Sequence, residues 1–205
     1  HFNTLNLHTH GLHVSPFQDD VITPIPPGTS KTYVYDIPDD HPCGTFWYHA
    51  HKHGAPAMHL MSGVAGLIIA EGEGDNDPGV AEAAQVDFVI QEINLEDLSD
   101  ENSDPQGTFE VPDYVNPRPF KAVDSFFIVN GAFIPNLTVN PGRTIRLRIL
   151  NASTRNTMPI SIPGAQMTVI SLDGITLPQP LTLDTIRLAP ANRADVLLHV
   201  DEPGH

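Results

Sequence analysis

Two short stretches carry the residues best suited to chemistry. Residues 4–11 read TLNLHTHG and residues 44–54 read GTFWYHAHKHG, so His8 and His10 form one H-x-H pair and His49 and His51 another. Neutral imidazole is a nitrogen donor for copper, zinc, nickel and iron, and copper(II) tops the affinity order. Along a strand alternate side chains share a face, so each pair presents two nitrogens on one side of an extended segment. Two such strands side by side gather four nitrogens, more than one catalytic zinc with an open position needs, and point to a pair or cluster of metals. The chain has only 11 histidines, and four of them fall in these pairs. His13 and His53 stand just beyond; HKHG imitates HTHG, which makes His53 a rival for one ligand place.

Cys43, the single cysteine, sits in DDHPCGTF two residues after His41. A blue-copper centre needs a thiolate, two imidazoles and usually an axial methionine. The next histidine is His49, already part of a pair, and Met58 and Met61 are loosely spaced. Cys43 therefore reads as a small turn residue, and Met58, His59 and Met61 as loop and packing residues. One cysteine also excludes an internal disulfide, so cysteine usage fixes no compartment.

The elements that must position the histidines read as strands. Short runs rich in Val, Ile, Thr, Phe and Leu are interrupted by 20 prolines and 15 glycines, and no long stretch has a 3.6-residue apolar period. That is the pattern of an all-β fold with many turns and little helix. Residues 1–72 form a first domain, with strands expected over Thr4–His10, Thr32–Ile37, Thr45–His51 and within GVAGLIIAEG. The acidic, Gly-rich stretch 73–85 reads as a linker. Residues 86–205 form a second domain, beginning at VDFVIQEINL and continuing, after the polar run LEDLSDENSDPQG, through FFIVNG, LTVNPGRTIRLRILNAS, MTVISLDGI and ADVLLHV.

A weak internal repeat supports two domains. NTLNLHTHG (3–11) lies over NTMPISIPG (156–164), and Ser161 and Pro163 stand where the first copy has His8 and His10. The second domain thus reads as the same fold without the metal. Each half lacks strands that the other has, so both domains are expected to be incomplete in this chain.

The formal charge is −15, from 10 Lys and Arg against 25 Asp and Glu, with a pI near 4.8. Nucleic acid is excluded as a partner, because phosphate binding needs clustered cations. No apolar run reaches the ~18 residues of a helical membrane span, and no membrane partner is expected. The sequons at Asn136 and Asn151 read as turn or strand-end residues.

HTHG followed by GTFWYHAH resembles the first two of the four copper motifs of the multicopper oxidases, the laccase-like and bilirubin-oxidase-like three-domain cupredoxin proteins. The likeness extends to the P-P-G strand start, DIPDDHPCG before the aromatic pair, G-x-x-G-L-I-I, VNG, NPGRTIRLRILNAS, SLDG and ADVLLHV. It implies tandem cupredoxin-like Greek-key β-barrels or sandwiches. By this resemblance His8 binds a type 2 copper, while His10, His49 and His51 bind the type 3 pair of a trinuclear cluster that reduces dioxygen to water. The family also places acidic residues after the first motif to move protons to that cluster. In QDDV the candidates are Asp19 and Asp20, of which Asp19 fits better.

The family's H-P-x-H-x-H run and its H-C-H run with a following His and Met do not occur in these 205 residues. The resemblance therefore implies half a cluster here, with the type 1 copper and the remaining ligands supplied by a third cupredoxin domain or another chain. The implied reductant is a phenol, an aryl amine or a metal ion, and the implied location is secreted or periplasmic. Three other readings of the residues stand beside this one. A cupredoxin pair that stores or transfers copper needs no catalysis. A zinc hydrolase needs a general base, and no Glu lies close to either histidine pair. A copper nitrite reductase is near in fold, but Ala50 replaces its blue-site cysteine.

Overall fold

The computed structural model describes residues 4–54, 56–94 and 125–201. It is mostly strand, 44%, with 8% helix, which meets the all-β expectation. Three strands form one sheet in the order β1 (Leu7–His10), β2 (Gly44–Ala50), β3 (Ala65–Ala70), all antiparallel. Between β2 and β3, α1 (Pro56–Met61) occupies the stretch expected as loop. Pro56 opens it, where the missing N–H has no helical partner to lose.

A six-stranded sheet follows, built from β4 (Ala84–Asn94), β5 (Ser125–Val129), β6 (Arg143–Asn151), β8 (Gln166–Leu172), β9 (Ile175–Leu183) and β11 (Arg193–Val200), ordered β5-β4-β6-β11-β8-β9. Only β4 and β6 run parallel. β7 (Met158–Ile160) and β10 (Ile186–Leu188) make a separate two-stranded ribbon. Pro178 and Pro180 lie in β9, an edge strand, where its register against β8 shifts between Val169 and Ser171. Proline cannot donate to a ladder and is tolerated at edges and bulges. The buried faces of β6, β8, β10 and β11, led by Leu147, Ile149, Met167, Val169, Leu188, Val196 and Leu198, close one core.

The acidic stretch after β3 carries a 3-10 turn (Glu73–Asn76) and α2 (Pro78–Ala81). Residues 32–37 form no strand. They alternate in burial up to Asp36, but have no ladder partner among the described residues; Val34 is 68% exposed. The β-branched and aromatic signal there describes a half-buried extended surface, and pairing needs a neighbour as well. The tie to β1 is a side chain: Leu7 N–H donates to Tyr33 Oη at 3.2 Å. The run LEDLSDENSDPQG lies outside the described residues.

Candidate metal centre

The β1–β2 register sets His8 opposite His49 and His10 opposite Trp47. Alternation then puts His8, His10, Trp47 and His49 on one face. Ring centroids are 5.4 Å apart for His8–His10, 5.2 Å for His8–His49 and 5.5 Å for His10–His49. One nitrogen from each of these three lies within 4.8 Å of the others. His10 Nδ1 and His49 Nε2 face one another at 3.3 Å.

His51 stands one residue past β2, held by its own N–H donating to Asn6 Oδ1 at 3.0 Å. Its ring is 5.2 Å from His8 and 5.9 Å from His49, so it borders the trio without joining the tightest set. His51 Nδ1 is buried without a partner among the described residues. His53 is exposed in the following turn, 5.9 Å from His51, beyond the trio.

Polar neighbours orient the ligand candidates. Asp19 Oδ2 lies 2.5 Å from His8 Nδ1, and Asp19 Oδ1 accepts from Thr9 N–H at 2.8 Å and Thr9 Oγ1–H at 2.9 Å. A carboxylate on one ring nitrogen fixes the proton there and leaves the other nitrogen as donor to a metal. His49 Nδ1 donates likewise to the Ala50 carbonyl at 2.9 Å. Asp20 faces elsewhere: it accepts from Ile22 and Thr23 N–H and pairs with Lys31 at 2.6 Å, which holds its carboxyl well below the ordinary range.

Burial disfavours protonation of His10, and the charges of Arg193, His49 and His8 add to it, lowering its pKa to about 4. Burial lowers His49 too, against the opposing pull of the Ala50 carbonyl. Neutral imidazoles held close together are the state a transition ion requires. The donor set, its tethers and the unpartnered His51 nitrogen all fit copper or zinc.

Trp47 has a part that its place in the aromatic pair did not reveal. Its ring stacks on His49 at 4.2 Å and on His10 at 5.2 Å, and it packs with Leu150 of β6 and with Ala152 just past that strand. It sits two residues before His49, the spacing that shares a face. A second support is polar and buried. Thr45 Oγ1 donates to Asp195 Oδ1 at 2.5 Å and accepts from Arg148 Nη1 at 2.8 Å; Arg146 and Arg148 both reach Asp195 Oδ2; Arg193 Nε donates to the Thr45 carbonyl at 3.1 Å. Asp75, from the stretch expected as linker, pairs with Arg146. The histidine strand is thus pinned to β6 and β11. Asn151, one of the two sequon residues, is fully buried and donates to the Asn156 and Leu188 carbonyls.

A multicopper oxidase family model matches residues 96–205, and a second multicopper oxidase model matches residues 2–75. Laccase-4 of Thanatephorus cucumeris is 30% identical over 216 residues, covering 96% of this chain and 38% of its own. Cell division protein FtsP of Xenorhabdus nematophila is 30% identical over 180 residues, covering 86% of this chain and 35% of its own. The chain spans little more than a third of these relatives. A multicopper oxidase from Campylobacter jejuni, described as a metallo-oxidase, superposes with a TM-score of 0.75 at 25% identity over 100% of this chain and 40% of that one. The multicopper oxidase mgLAC gives 0.77 at 24% identity, over 100% and 62%. Both likenesses carry the all-β, cupredoxin-like architecture.

Proposed function

This chain belongs to the multicopper oxidase family, and from that premise we propose that it supplies half of a trinuclear copper cluster in a laccase-like oxidase. His8 takes the type 2 copper, and His10, His49 and His51 take the type 3 pair. Copper bound there supplies the one-electron steps that carry dioxygen to water. The chain's own residues hold and orient: Asp19 fixes the His8 proton on Nδ1, Ala50 fixes that of His49, and Trp47 stacks against two of the rings. Asp19, with one oxygen on His8 and the other on Thr9, is also the carboxylate best set to pass a proton toward the cluster. The observation that carries the reading is the pairing of His8 with His49 across one ladder, which turns two sequence motifs into one nitrogen-lined site.

In this proposal residues 1–72 and 86–205 are two cupredoxin-like units, joined by 73–85, and only the first holds copper ligands. The remaining ligands, the type 1 copper and the pocket for a phenol, aryl amine or metal ion come from a third cupredoxin domain, in a secreted or periplasmic protein. Among the described residues no helix is long and apolar enough to cross a membrane. The test is copper loading of this chain, with metal counted by mass spectrometry and spin state by electron paramagnetic resonance. Bound copper that is lost in the His8→Asn and His49→Asn variants supports the reading, with no blue absorbance and no phenol oxidation until a third domain is supplied. Phenol turnover by the chain with copper alone would overturn it.

The relatives named as cell division proteins favour a second reading, a non-catalytic copper-binding module. One isolated copper with no coupled pair, unchanged when the third domain is added, would select it.

A further inference from the structure

We infer that His13 and His41 form a separate binding site for a divalent transition ion of the copper–zinc class. Neither residue belongs to the ligand set proposed above, and the inference stands whether or not that set is a trinuclear cluster.

The two imidazoles come from different turns. His13 follows the turn that ends β1, and His41 closes a turn in which its N–H donates to the Pro38 carbonyl at 3.0 Å. Their ring centroids are 5.1 Å apart and tilted by 52°. A ring centroid stands about 3.2 Å from an ion bound at about 2.0–2.1 Å, so two rings on one tetrahedral ion are about 5.2 Å apart. The pairs within the candidate centre are separated by the same amount, 5.2–5.9 Å.

Ring packing alone gives similar separations, and His41 also meets Phe46 edge-on at 5.0 Å. The nitrogens separate the two explanations. His41 Nδ1 donates to the Pro42 carbonyl at 2.8 Å, which places the lone pair on Nε2. Nε2 is buried and has no protein partner among the described residues. One ring nitrogen tethered to a carbonyl and the other left as an unused donor is the arrangement of a metal-ligating histidine, and the tether itself is the kind that Ala50 gives His49. Packing needs no free Nε2, and leaving a buried acceptor unmet is costly.

His13 is exposed and lines a cavity of about 480 Å³ together with His10, Phe46, Asp173 and Arg193; His41 lies outside that lining, so an ion would reach the pair from the His13 side. Water fills the remaining coordination positions, since among the described residues no third His, Cys, Asp or Glu completes a set around this pair. The site is therefore weaker than a structural four-ligand zinc site, and selective for ions that favour imidazole.

The test is a zinc titration of the whole chain, followed by calorimetry and by long-range proton–nitrogen spectra of the histidine rings. Zinc is chosen because it leaves the resonances observable. Saturation is expected to shift Nε2 of His41 and one ring nitrogen of His13 while His41 Nδ1 keeps its proton. His41→Asn should lower the zinc count by one ion, and His13→Asn should weaken that ion at least tenfold. Unmoved ring nitrogens at saturating zinc, or the same zinc count in His41→Asn as in the parent, would overturn the site and assign His41 Nε2 to a buried water. If His41→Asn does not fold, the ring spectra of the unaltered chain decide alone.

Discussion

His8 and Asp19 are joined through Nδ1 and Oδ2 at 2.5 Å, and the second oxygen of the same carboxylate accepts from both the backbone and the hydroxyl of Thr9. The carboxylate is thereby fixed by the strand that carries the histidine it orients. Asp19→Asn keeps the shape and an acceptor for Thr9, yet its amide N–H now faces His8 and favours the tautomer with the proton on Nε2. Loss of such an orienting partner costs about 10–100-fold in metal affinity. A competition titration with a copper chelator should read a weakening in that range with an unchanged circular dichroism spectrum. An unchanged affinity would remove Asp19 from the support of the site.

Acid should destabilise the metal-free chain through His10 and His49. Both have folded-state pKa values below the ordinary 6.5, His10 at about 4, chiefly because they are buried. Above pH 6.5 both are neutral folded or unfolded, and pH has no leverage through them. Below it the unfolded chain takes up these protons first, so stability falls from about pH 6.5 down to about pH 4. Thermal midpoints measured with chelator present should drop across that window, and the double variant His10→Gln, His49→Gln should flatten the drop.

The gathering of His8, His10 and His49 on one face was legible because strand alternation is a strict rule that fixes which side chains lie together once the strands pair, whereas His51 falls one residue past β2 and only borders them. What supports that face was not. Thr45 and Asp195 are 150 positions apart, and Arg146 and Arg148 sit in a strand whose alternate residues read as an ordinary polar face. Nothing local says that this polar face is buried against a second sheet. Asp75 was hidden in the same way, inside an acidic stretch whose composition reads as linker while one carboxylate is paired with Arg146. Conversely, residues 32–37 have strand composition but no ladder among the described residues, since pairing depends on a neighbour that local composition does not specify.

The buried network should be costly to break at one point. Asp195 is the carboxylate shared by Arg146, Arg148 and Thr45. Asp195→Asn leaves two buried guanidinium groups, Arg146 and Arg148, to share Asp75, one counter-charge too few, a loss of about 3–5 kcal/mol. Thr45→Val removes one hydroxyl and leaves its partners short of a contact, about 1–3 kcal/mol. Urea unfolding of the metal-free variants should show that order, and an Asp195→Asn chain as stable as the parent would mean the network is open to water.

The two sheets also meet backbone to backbone, where the start of β2 touches the β8–β9 turn. A Cβ on Gly44 would lie 2.3 Å from the Gly174 carbonyl oxygen, and one on Gly174 would lie 2.6 Å from the Phe46 ring. Gly174 further has φ +83°, whereas Gly164 has φ +79° with nothing within 4 Å of its absent Cβ. The pair separates backbone strain from contact. Gly164→Ala should cost only the left-handed conformation, about 1–2 kcal/mol. Gly174→Ala should cost that plus overpacking of about 1–3 kcal/mol. The excess falls on the seam beside Thr45 and Phe46, the strand that carries His49, so Gly174→Ala should weaken copper binding as well as stability while Gly164→Ala lowers stability alone. Equal copper affinity in the two variants would show that the histidine face keeps its geometry without this seam.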